Sequence, residues 1–335
     1  MDAMVVAMKV LVNGIGNFGT TLLQVLTAHW DLLDTDTVYA HKSTVHPWDE
    51  PQMQRLKNLG IILVGDEYPA QARIEDVAHE IDYVFDAGRP GQGLRRKARY
   101  DGFPNLLGAS AQGTEKSFGT PYVLGHGMDS SLSRHASIPS CNTHSALAVL
   151  RTLSDGDLQD IESADFVMAR RSVAGNVVAR HLDPVLGTHH AIDTAAVLRV
   201  LGRRIPIQSS DLSTPSQFLH ATRFAVRLRS SPTEAQVRDR IDRSAYVSNT
   251  GIFDSNKIFE IGRRFGLGGR LYQQAIFVDA NLLVKDRVIS GWAFVPQEGN
   301  TILSTMAAYL QRTRGLREAS RRIDQLAESV LLTAL

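Results

Sequence analysis

The chain of 335 residues contains a single cysteine, Cys141, in the stretch IPSCNTHSALAVL (138–150). Apolar residues at helical spacing follow it, and Asn142, Thr143 and Ser145 lie early in that run, where such residues cap helices. Because the backbone dipole at a helix N-terminus stabilises a thiolate, this placement predicts a lowered thiol pKa and a nucleophile. The alternative is a small buried side chain without a chemical role.

Three glycines near the N-terminus, Gly14, Gly16 and Gly19, have the spacing of a dinucleotide-binding turn. They follow the apolar run MKVLV and precede a helical pattern, which is the strand–turn–helix context that this motif requires. Gly14 would form the tight turn, Gly16 would admit a pyrophosphate to the backbone, and Gly19 would let helix and strand pack closely. The sequence therefore predicts that the first half binds NAD or NADP.

The segment HKST (41–44) follows the second predicted strand, DTVYA. NAD-selective sites usually carry Asp or Glu here, about 20 residues beyond the glycines, to bind the ribose hydroxyls. Lys42 and the neighbouring hydroxyls would instead attract a 2′-phosphate, which favours NADP over NAD. The alternative is that Lys42 is only a solvated surface lysine.

Further patterns predict an α/β fold. In the first half, strand patterns occur at GIILVG, IDYVFDAG and TPYVLGHG, and helical patterns at DEPQMQRLKNL and ARIEDVAHE. The stretch DAGRPGQGLRRKARY predicts a glycine-rich basic loop. The second half contains strand patterns at ADFVMARRS, ATRFAVRLRS and QQAIFVDANLLVKDRVISGWAFV, the last with a hairpin at KDR. We expect an N-terminal Rossmann dinucleotide-binding domain (1–140 plus the amphipathic C-terminal helix 300–335). We expect the second domain (141–299) to be an α+β catalytic domain on a mixed or antiparallel sheet.

SCNT, taken together with VNGIGNFG, resembles the archaeal-type (class II) glyceraldehyde-3-phosphate dehydrogenases. The resemblance continues in the same order along nearly the whole chain. It pairs AQGTEK with the family's QGGEK, SCNTHSALAVLRTL with SCNTTxLxRT, ARRSVAG with RRAAD, GTHHAID with an SHHA-type segment, STPSQFLHATRFAVRL with PTTLMH, and VPQEGN with HQES.

The resemblance implies a role for each matching residue. Cys141 would be the nucleophile and His220 the catalytic base, with Pro215 keeping the register between the two sequences. The substrate would be bound by Ser140, Asn142, His189, His190 and Arg171, of which Arg171 falls on a phosphate- or cofactor-contacting position. The dinucleotide would be bound by Asn17, Phe18, Gly113 and Gln297 in addition to Gly14, Gly16, Gly19 and Lys42.

Several of these residues have ordinary structural interpretations as well. Adjacent histidines are common on surface loops and point in different directions, so at most one of His189 and His190 would face a site. Arg170 and Arg171 could be a solvated pair, and His220 a hydrogen-bonded histidine at a strand start. We expect no metal, because THH lacks the i,i+4 spacing of a helical zinc pair and the chain has no second cysteine.

The implied activity is NAD(P)-dependent aldehyde oxidation, or acyl-phosphate reduction, through a cysteine thiohemiacetal and thioester. This chain lacks the family's KGPIN segment, and Ser172, Val173 and Ala174 replace the end of RRAAD. These departures leave three hypotheses: a phosphorylating glyceraldehyde-3-phosphate dehydrogenase, a paralogue acting as an acyl-phosphate or semialdehyde dehydrogenase, and a non-catalytic dinucleotide-binding regulator. The intact SCNT motif and His220 argue against the regulator.

Composition sets the remaining expectations. Hydrophobic residues make up 43% and charged residues 21%, with a formal net charge of +1, which is typical of a globular protein without nucleic-acid or membrane partners. One cysteine excludes an intrachain disulfide. No apolar window is long enough to span a membrane. We expect a cytoplasmic homo-oligomer, a tetramer or dimer, that acts on a small aldehyde or acyl phosphate.

Overall fold

The computed structural model describes residues 7–66, 70–113, 115–125, 133–171, 183–185, 189–214, 218–267 and 271–332. Ser172, Val173, Ala174 and Pro215, which the sequence comparison singled out, lie outside the described residues. The chain divides into two compact units. The first consists of Met1–Leu124, Met128–Ile138 and Ile302–Leu326, and the second of Gly125–Gly127, Pro139–Thr301 and Ala327–Leu335. Most of the C-terminal segment 300–335 therefore belongs to the first unit, and the part from Ala327 onward belongs to the second.

The first unit contains a seven-stranded sheet in which all neighbouring strands are parallel. Its strands are β1 (Met8–Asn13), β2 (Thr35–His41), β3 (Ile62–Val64), β4 (Tyr83–Asp86), β5 (Gly108–Gln112), β6 (Thr120–Pro121) and β7 (His135–Ile138). Their spatial order is β3-β2-β1-β4-β5-β7-β6, with the direction of winding reversed between β1 and β4. The Rossmann-type sheet predicted from the sequence is thus confirmed.

Helices connect these strands. They are α1 (Asn17–Ala28), α2 (Trp30–Leu33), α3 (Glu50–Asn58), α4 (Ile74–Val77) and α5 (Gln92–Asp101). The prediction of a basic loop at DAGRPGQGLRRKARY is wrong, because most of that stretch forms α5. The helix begins after Gly91, which is in the left-handed region (φ 81°), and buries Tyr100. Of its basic side chains, Arg96 lies 3.5 Å from the buried carboxylate of Asp86, and Lys97 donates to the Phe118 carbonyl oxygen.

In the second unit, the described residues form a mixed eight-stranded sheet and four helices that lie wholly within the unit. They are, in chain order, α6 (Cys141–Leu153), β8 (Ile161–Arg170), β9 (Asp183–Val185), α7 (His189–Val200), β10 (Ile207–Ser213), β11 (His220–Leu228), α8 (Glu234–Arg243), β12 (Val247–Thr250), α9 (Ser255–Arg264), β13 (Ala275–Val278), β14 (Leu283–Lys285) and β15 (Val288–Val295). The order is β12-β13-β15-β11-β8-β10-β9, and β14 forms the predicted hairpin with β15. β10–β8 and β12–β13 are parallel and the other pairs are antiparallel.

Helix α6 is the central helix of the second unit. Almost every residue after its first turn is buried, and it packs on β8, β11, β13 and β15. It begins at Cys141, with Ser140 as N-cap accepting a hydrogen bond from the Thr143 backbone N–H. The predicted caps Asn142, Thr143 and Ser145 lie inside the helix instead, because the N-cap position is taken by Ser140.

The predicted C-terminal amphipathic helix is two helices, α10 (Ile302–Arg314) and α11 (Leu316–Val330), separated by Gly315. In the first unit, α10 packs against β5 and β7 and is buried along most of its length. The Asp34 carboxylate lies 2.9 Å from the guanidinium groups of both Arg314 and Arg322, so one carboxylate connects both helices to the end of α2. Among the described residues, no helix combines the length and apolar character that a membrane span requires.

Candidate active site

The glycine turn joins β1 to α1 in the first unit. A Cβ atom on Gly14, which has φ +119°, would lie 2.5 Å from the Ala87 carbonyl oxygen, and one on Gly19 would overlap the Gly14 carbonyl. Gly16 differs, because no atom lies within 4 Å of the position its Cβ would take. Gly16 is also the N-cap of α1 and provides no side-chain cap. The open space beside Gly16 therefore fits a phosphate bound at the helix N-terminus.

A cleft of about 530 Å³ surrounds this turn. It lies at the carboxyl ends of β1, β2 and β4, where open α/β sheets bind their ligands. Its lining includes Gly14, Gly16, Lys42, Ser43, Thr44, His46, Trp48, Asp49, Gly88, Arg89 and Arg96. Asn17 and Phe18 form the first turn of α1, and Gly113 follows the carboxyl end of β5 in the same unit. The cleft residues fit a dinucleotide, whereas Asn17, Phe18 and Gly113 are not among the residues that line the cleft.

Lys42 is not a solvated lysine. Its Nζ lies 2.6 Å from Oδ1 of Asp49, a buried carboxylate that the sequence analysis did not consider. Burial alone would raise the pKa of Asp49, but hydrogen bonds from Lys42 and the His46 backbone hold it below its usual value. The cation predicted to attract a 2′-phosphate therefore already neutralises a carboxylate, which weakens the argument for NADP over NAD.

Trp48 is a second cleft residue that sequence reasoning missed. Its side chain is 74% exposed and stacks on His46, with ring centroids 4.4 Å apart and the planes 18° from parallel. A large exposed aromatic face in a cleft offers a surface on which a planar base can stack. The available signal was an aromatic residue shortly after HKST in the sequence.

In the second unit, the segment after β15 brings two amides to the predicted nucleophile. The Cys141 carbonyl oxygen accepts a hydrogen bond from Asn300 Nδ2 at 2.9 Å, and Cys141 Sγ lies 3.8 Å from Gln297 Nε2. Cys141 itself is half-buried. Gln297 was predicted to bind the dinucleotide, and the structure places its amide on the thiol.

The environment of Cys141 differs from the sequence expectation in one respect. Burial raises the pKa of the Cys141 thiol above its ordinary value, and the Gln297 amide and the Arg171 charge offset only part of this effect. The expected lowering by the helix N-terminus is therefore wrong for the free protein, because desolvation of the charged form is the larger effect. At neutral pH the free protein holds Cys141 mainly as a thiol.

His220 is the first residue of β11 and is buried opposite Val295 of β15. Its Nδ1 accepts a hydrogen bond from the Arg171 backbone N–H at 2.8 Å, and its Nε2 contacts Nε2 of Gln297. Burial lowers the pKa of His220 well below its ordinary value, and the charges of Arg171 and Arg170 lower it further. The imidazole is therefore neutral at physiological pH. One amide, that of Gln297, contacts both Cys141 and His220.

Three of the predicted substrate-binding residues meet beside Cys141. His190 Nε2 lies 3.0 Å from Asn142 Nδ2, and His190 Nδ1 lies 3.5 Å from the Ser140 hydroxyl. Ser140 and Asn142 flank Cys141 in the chain, and His190 is the second residue of α7, which packs against α6. The Ser140 hydroxyl, the Asn142 amide and the His190 imidazole are thus grouped at the start of α6, the helix that begins with Cys141.

His189 and His190 do not point apart, contrary to the sequence expectation. Their ring centroids are 3.7 Å apart, and both rings approach the buried carboxylate of Asp211, at 4.0 Å and 3.7 Å. Arg170 lies 3.0 Å from the same carboxylate oxygen. Asp211 comes from β10, and its place beside the histidines could not be read from the sequence. These three side chains could also hold a divalent cation, at the expense of the Arg170 salt bridge.

The Arg171 side chain is bonded to neighbouring residues of the protein and does not extend into an open cavity. Its guanidinium group lies 3.0 Å from Glu298 Oε1 and donates to the Phe218 carbonyl oxygen at 3.2 Å. Its backbone N–H holds the imidazole of His220. The residue predicted to contact phosphate or cofactor therefore connects the ends of β8 and β15.

Comparison with known proteins finds a similar dehydrogenase. The chain is 25% identical over 274 residues to glyceraldehyde-3-phosphate dehydrogenase of Thermococcus onnurineus (strain NA1), and the match covers 75% of each chain. This protein is similar to that dehydrogenase. No family model matches the chain. The similarity and the Rossmann-type sheet together indicate a dehydrogenase-like oxidoreductase that uses a nicotinamide dinucleotide.

The glycine turn yields a matched pair of substitutions. Gly16→Ala adds a methyl group in open space, so we expect unfolding stability within about 0.5 kcal/mol of wild type but at least about tenfold weaker NAD(P) binding. Gly19→Ala forces a methyl group onto the Gly14 carbonyl, so we expect a loss of more than about 3 kcal/mol in stability. Thermal unfolding and calorimetric titration measure both effects. Unchanged dinucleotide affinity in Gly16→Ala would contradict this placement of the cofactor.

Proposed function

We propose that this protein is an NAD(P)-dependent aldehyde dehydrogenase of the glyceraldehyde-3-phosphate dehydrogenase type, similar to the archaeal class II enzymes. In this proposal it oxidises an aldehyde, or reduces an acyl phosphate in the reverse direction, through a thioester on Cys141. The observation that carries the proposal is the convergence of Cys141, His220 and Gln297 at the N-terminus of α6, next to Ser140, Asn142 and His190.

The chemistry begins with the thiolate of Cys141, which adds to the aldehyde carbonyl and forms a thiohemiacetal. His220 and Asn142 are the groups that meet the carbonyl oxygen, on which negative charge develops. A bound nicotinamide dinucleotide would supply the hydride acceptor, and loss of hydride from the carbonyl carbon would leave a thioester on Cys141. Inorganic phosphate displaces the sulfur and gives an acyl phosphate, whereas water in its place gives a carboxylic acid. Both half-reactions use the same sulfur, first as nucleophile and then as leaving group.

The dinucleotide is held by the glycine turn and the cleft around it. The open space at Gly16 and the N-terminus of α1 suit the pyrophosphate, and the exposed face of Trp48 suits a base. The Lys42–Asp49 ion pair allows both cofactors, since a 2′-phosphate must share Lys42 with the carboxylate and a 2′-hydroxyl can donate to Asp49.

The first test is reduction of NADP and NAD by the purified protein with glyceraldehyde 3-phosphate, with and without inorganic phosphate. We expect turnover in the wild type and a loss of more than about 1000-fold in kcat for Cys141→Ser, because a hydroxyl is a much weaker nucleophile than a thiolate. Cys141→Ser should still bind the dinucleotide, which separates lost chemistry from lost folding. Turnover that persists in Cys141→Ser would contradict the proposal. Tight dinucleotide binding without turnover of glyceraldehyde 3-phosphate or of any unphosphorylated aldehyde would favour the regulator.

A second candidate, a dehydrogenase for a different aldehyde, is favoured by Asp211. The predicted phosphate-binding histidines face this carboxylate, Arg170 is paired with it, and Arg171 is paired with Glu298. A phosphate dianion brought to these histidines would therefore meet an existing negative charge. This arrangement suits an aldehyde whose distal group is neutral or donates hydrogen bonds.

Replacing the carboxylate tests this candidate. In Asp211→Asn we expect the KM for glyceraldehyde 3-phosphate to fall about tenfold relative to that for unphosphorylated glyceraldehyde, since one negative charge near the phosphate is removed. Asp165→Asn is the matched control, because Asp165 forms an exposed pair with Arg223 on the same sheet. An unchanged ratio of the two KM values in Asp211→Asn would show that the phosphate does not lie beside these histidines.

A further inference from the structure

In the contact between His220 and Gln297, two hydrogen-bond donors face each other and no acceptor is present. A neutral imidazole has one N–H and one lone pair. Because Nδ1 accepts from the Arg171 backbone N–H at 2.8 Å, the ring proton must lie on Nε2. Nε2 contacts Nε2 of Gln297, which also carries hydrogens, so two donors face each other. An imidazolium would not relieve the conflict, since it would then oppose the Arg171 N–H as well.

At the other end of the Gln297 amide, an acceptor lacks a donor. Oε1 of Gln297 is a buried acceptor without a hydrogen-bond partner. Leaving a buried acceptor in this state is unfavourable, because it has lost its hydrogen bonds to water and gained none. Rotating the amide by 180° replaces the donor–donor contact with a hydrogen bond, because Oε1 then accepts from the Nε2–H of His220, and the amide nitrogen takes the place of the unpaired oxygen. The hydrogen-bond requirements of the site therefore assign the amide oxygen to the side that faces His220.

The same assignment fixes the state of the nucleophile. The amide end that contacts His220 also lies 3.8 Å from Cys141 Sγ, so after the rotation it is Oε1 that faces the sulfur. A carbonyl oxygen accepts a hydrogen bond from a thiol and repels a thiolate. The other charged groups that act here are Arg171 and Glu298 on Cys141, and Arg170, Arg171 and His190 on His220.

We propose that Gln297 caps the reacting pair in the free protein: its amide oxygen accepts from both Cys141 S–H and His220 Nε2–H, and the carbonyl oxygen of the substrate displaces it. The displaced amide leaves the Nε2–H of His220 to the substrate oxygen. His220 then acts on the reacting oxygen as a hydrogen-bond donor rather than as the base that the sequence resemblance implied, and the proton of the Cys141 thiol leaves to solvent before the sulfur adds as a thiolate. This inference rests on the proposed function for its substrate, and its first half concerns the free protein alone.

This arrangement affects which reagents the Cys141 thiol reacts with. With the amide in place, the thiol is protonated and hydrogen-bonded, and an oxidant or other electrophile meets a weak nucleophile. An aldehyde carbonyl carries an acceptor of the same kind as the amide oxygen, so it can replace Gln297 without leaving His220 Nε2–H unpaired. Gln297 is in this sense a positioning residue, since it acts through Cys141 and His220.

The test measures the rate of Cys141 alkylation by iodoacetamide against pH, with neither substrate nor dinucleotide present. In Gln297→Met, which keeps the volume but removes the acceptor, we expect the midpoint of the profile to fall by about one pH unit, with about tenfold faster alkylation at pH 7. The reason is that His220 Nε2–H becomes available to the thiolate. In a His220→Ala background the same substitution should shift the midpoint much less.

The outcomes separate the alternatives. An unchanged midpoint in Gln297→Met, or a raised one as expected if the amide N–H stabilises the thiolate, would overturn the proposal. If Gln297→Met unfolds, Gln297→Leu and nitrogen-15 spectra of wild-type histidines, which distinguish Nε2–H from Nδ1–H, test the same claim. An Nδ1–H ring at His220 would overturn it. Inactivity of the wild type toward aldehydes would count against the proposed function and leave the alkylation result standing.

Discussion

The hydrogen bond from the Arg171 backbone N–H to Nδ1 of His220 is the constraint on which the site depends. It exists because β8 and β11 pair in an antiparallel register that places Ala169 opposite Ala221, so the end of one strand meets the start of the other. Backbone geometry, rather than a mobile side chain, thus selects which nitrogen of His220 carries the proton. That choice determines how His220 contacts Gln297 and, through the amide, the state of Cys141.

Burial of α6 sets the second condition. The helix is apolar almost all round after its first turn, and its packing on four strands fixes the position of Cys141. The same burial desolvates the thiol and raises its pKa, which opposes the effect of the helix N-terminus. Cys141 is therefore held in a fixed position, but in the free protein it is a weak nucleophile. In this account the substrate supplies the missing activation when it displaces the Gln297 amide.

The parts of the structure that follow from local patterns could be predicted. The glycine turn, β2 and the hairpin of β14 and β15 each carry a short-range signal, and the start of α6 at Cys141 follows from the run behind it. β5, with the sequence GASAQ, could not be predicted, because its small residues show strand character only through pairing with β4 and β7. Asp211 and the contacts of Gln297 with Cys141 and His220 were missed for a similar reason. Their function depends on which distant residues the sheets bring beside them.

The most direct test of the central claim is to trap the covalent intermediate. Protein, NADP and excess aldehyde, without inorganic phosphate, are quenched in acid after one turnover, and the peptide that contains Cys141 is analysed by mass spectrometry. The thioester mechanism predicts a burst of NADPH equal to the protein concentration and an acyl group on Cys141 that disappears when phosphate is added before quenching. NADPH formed at the same rate with Cys141 unmodified would contradict it.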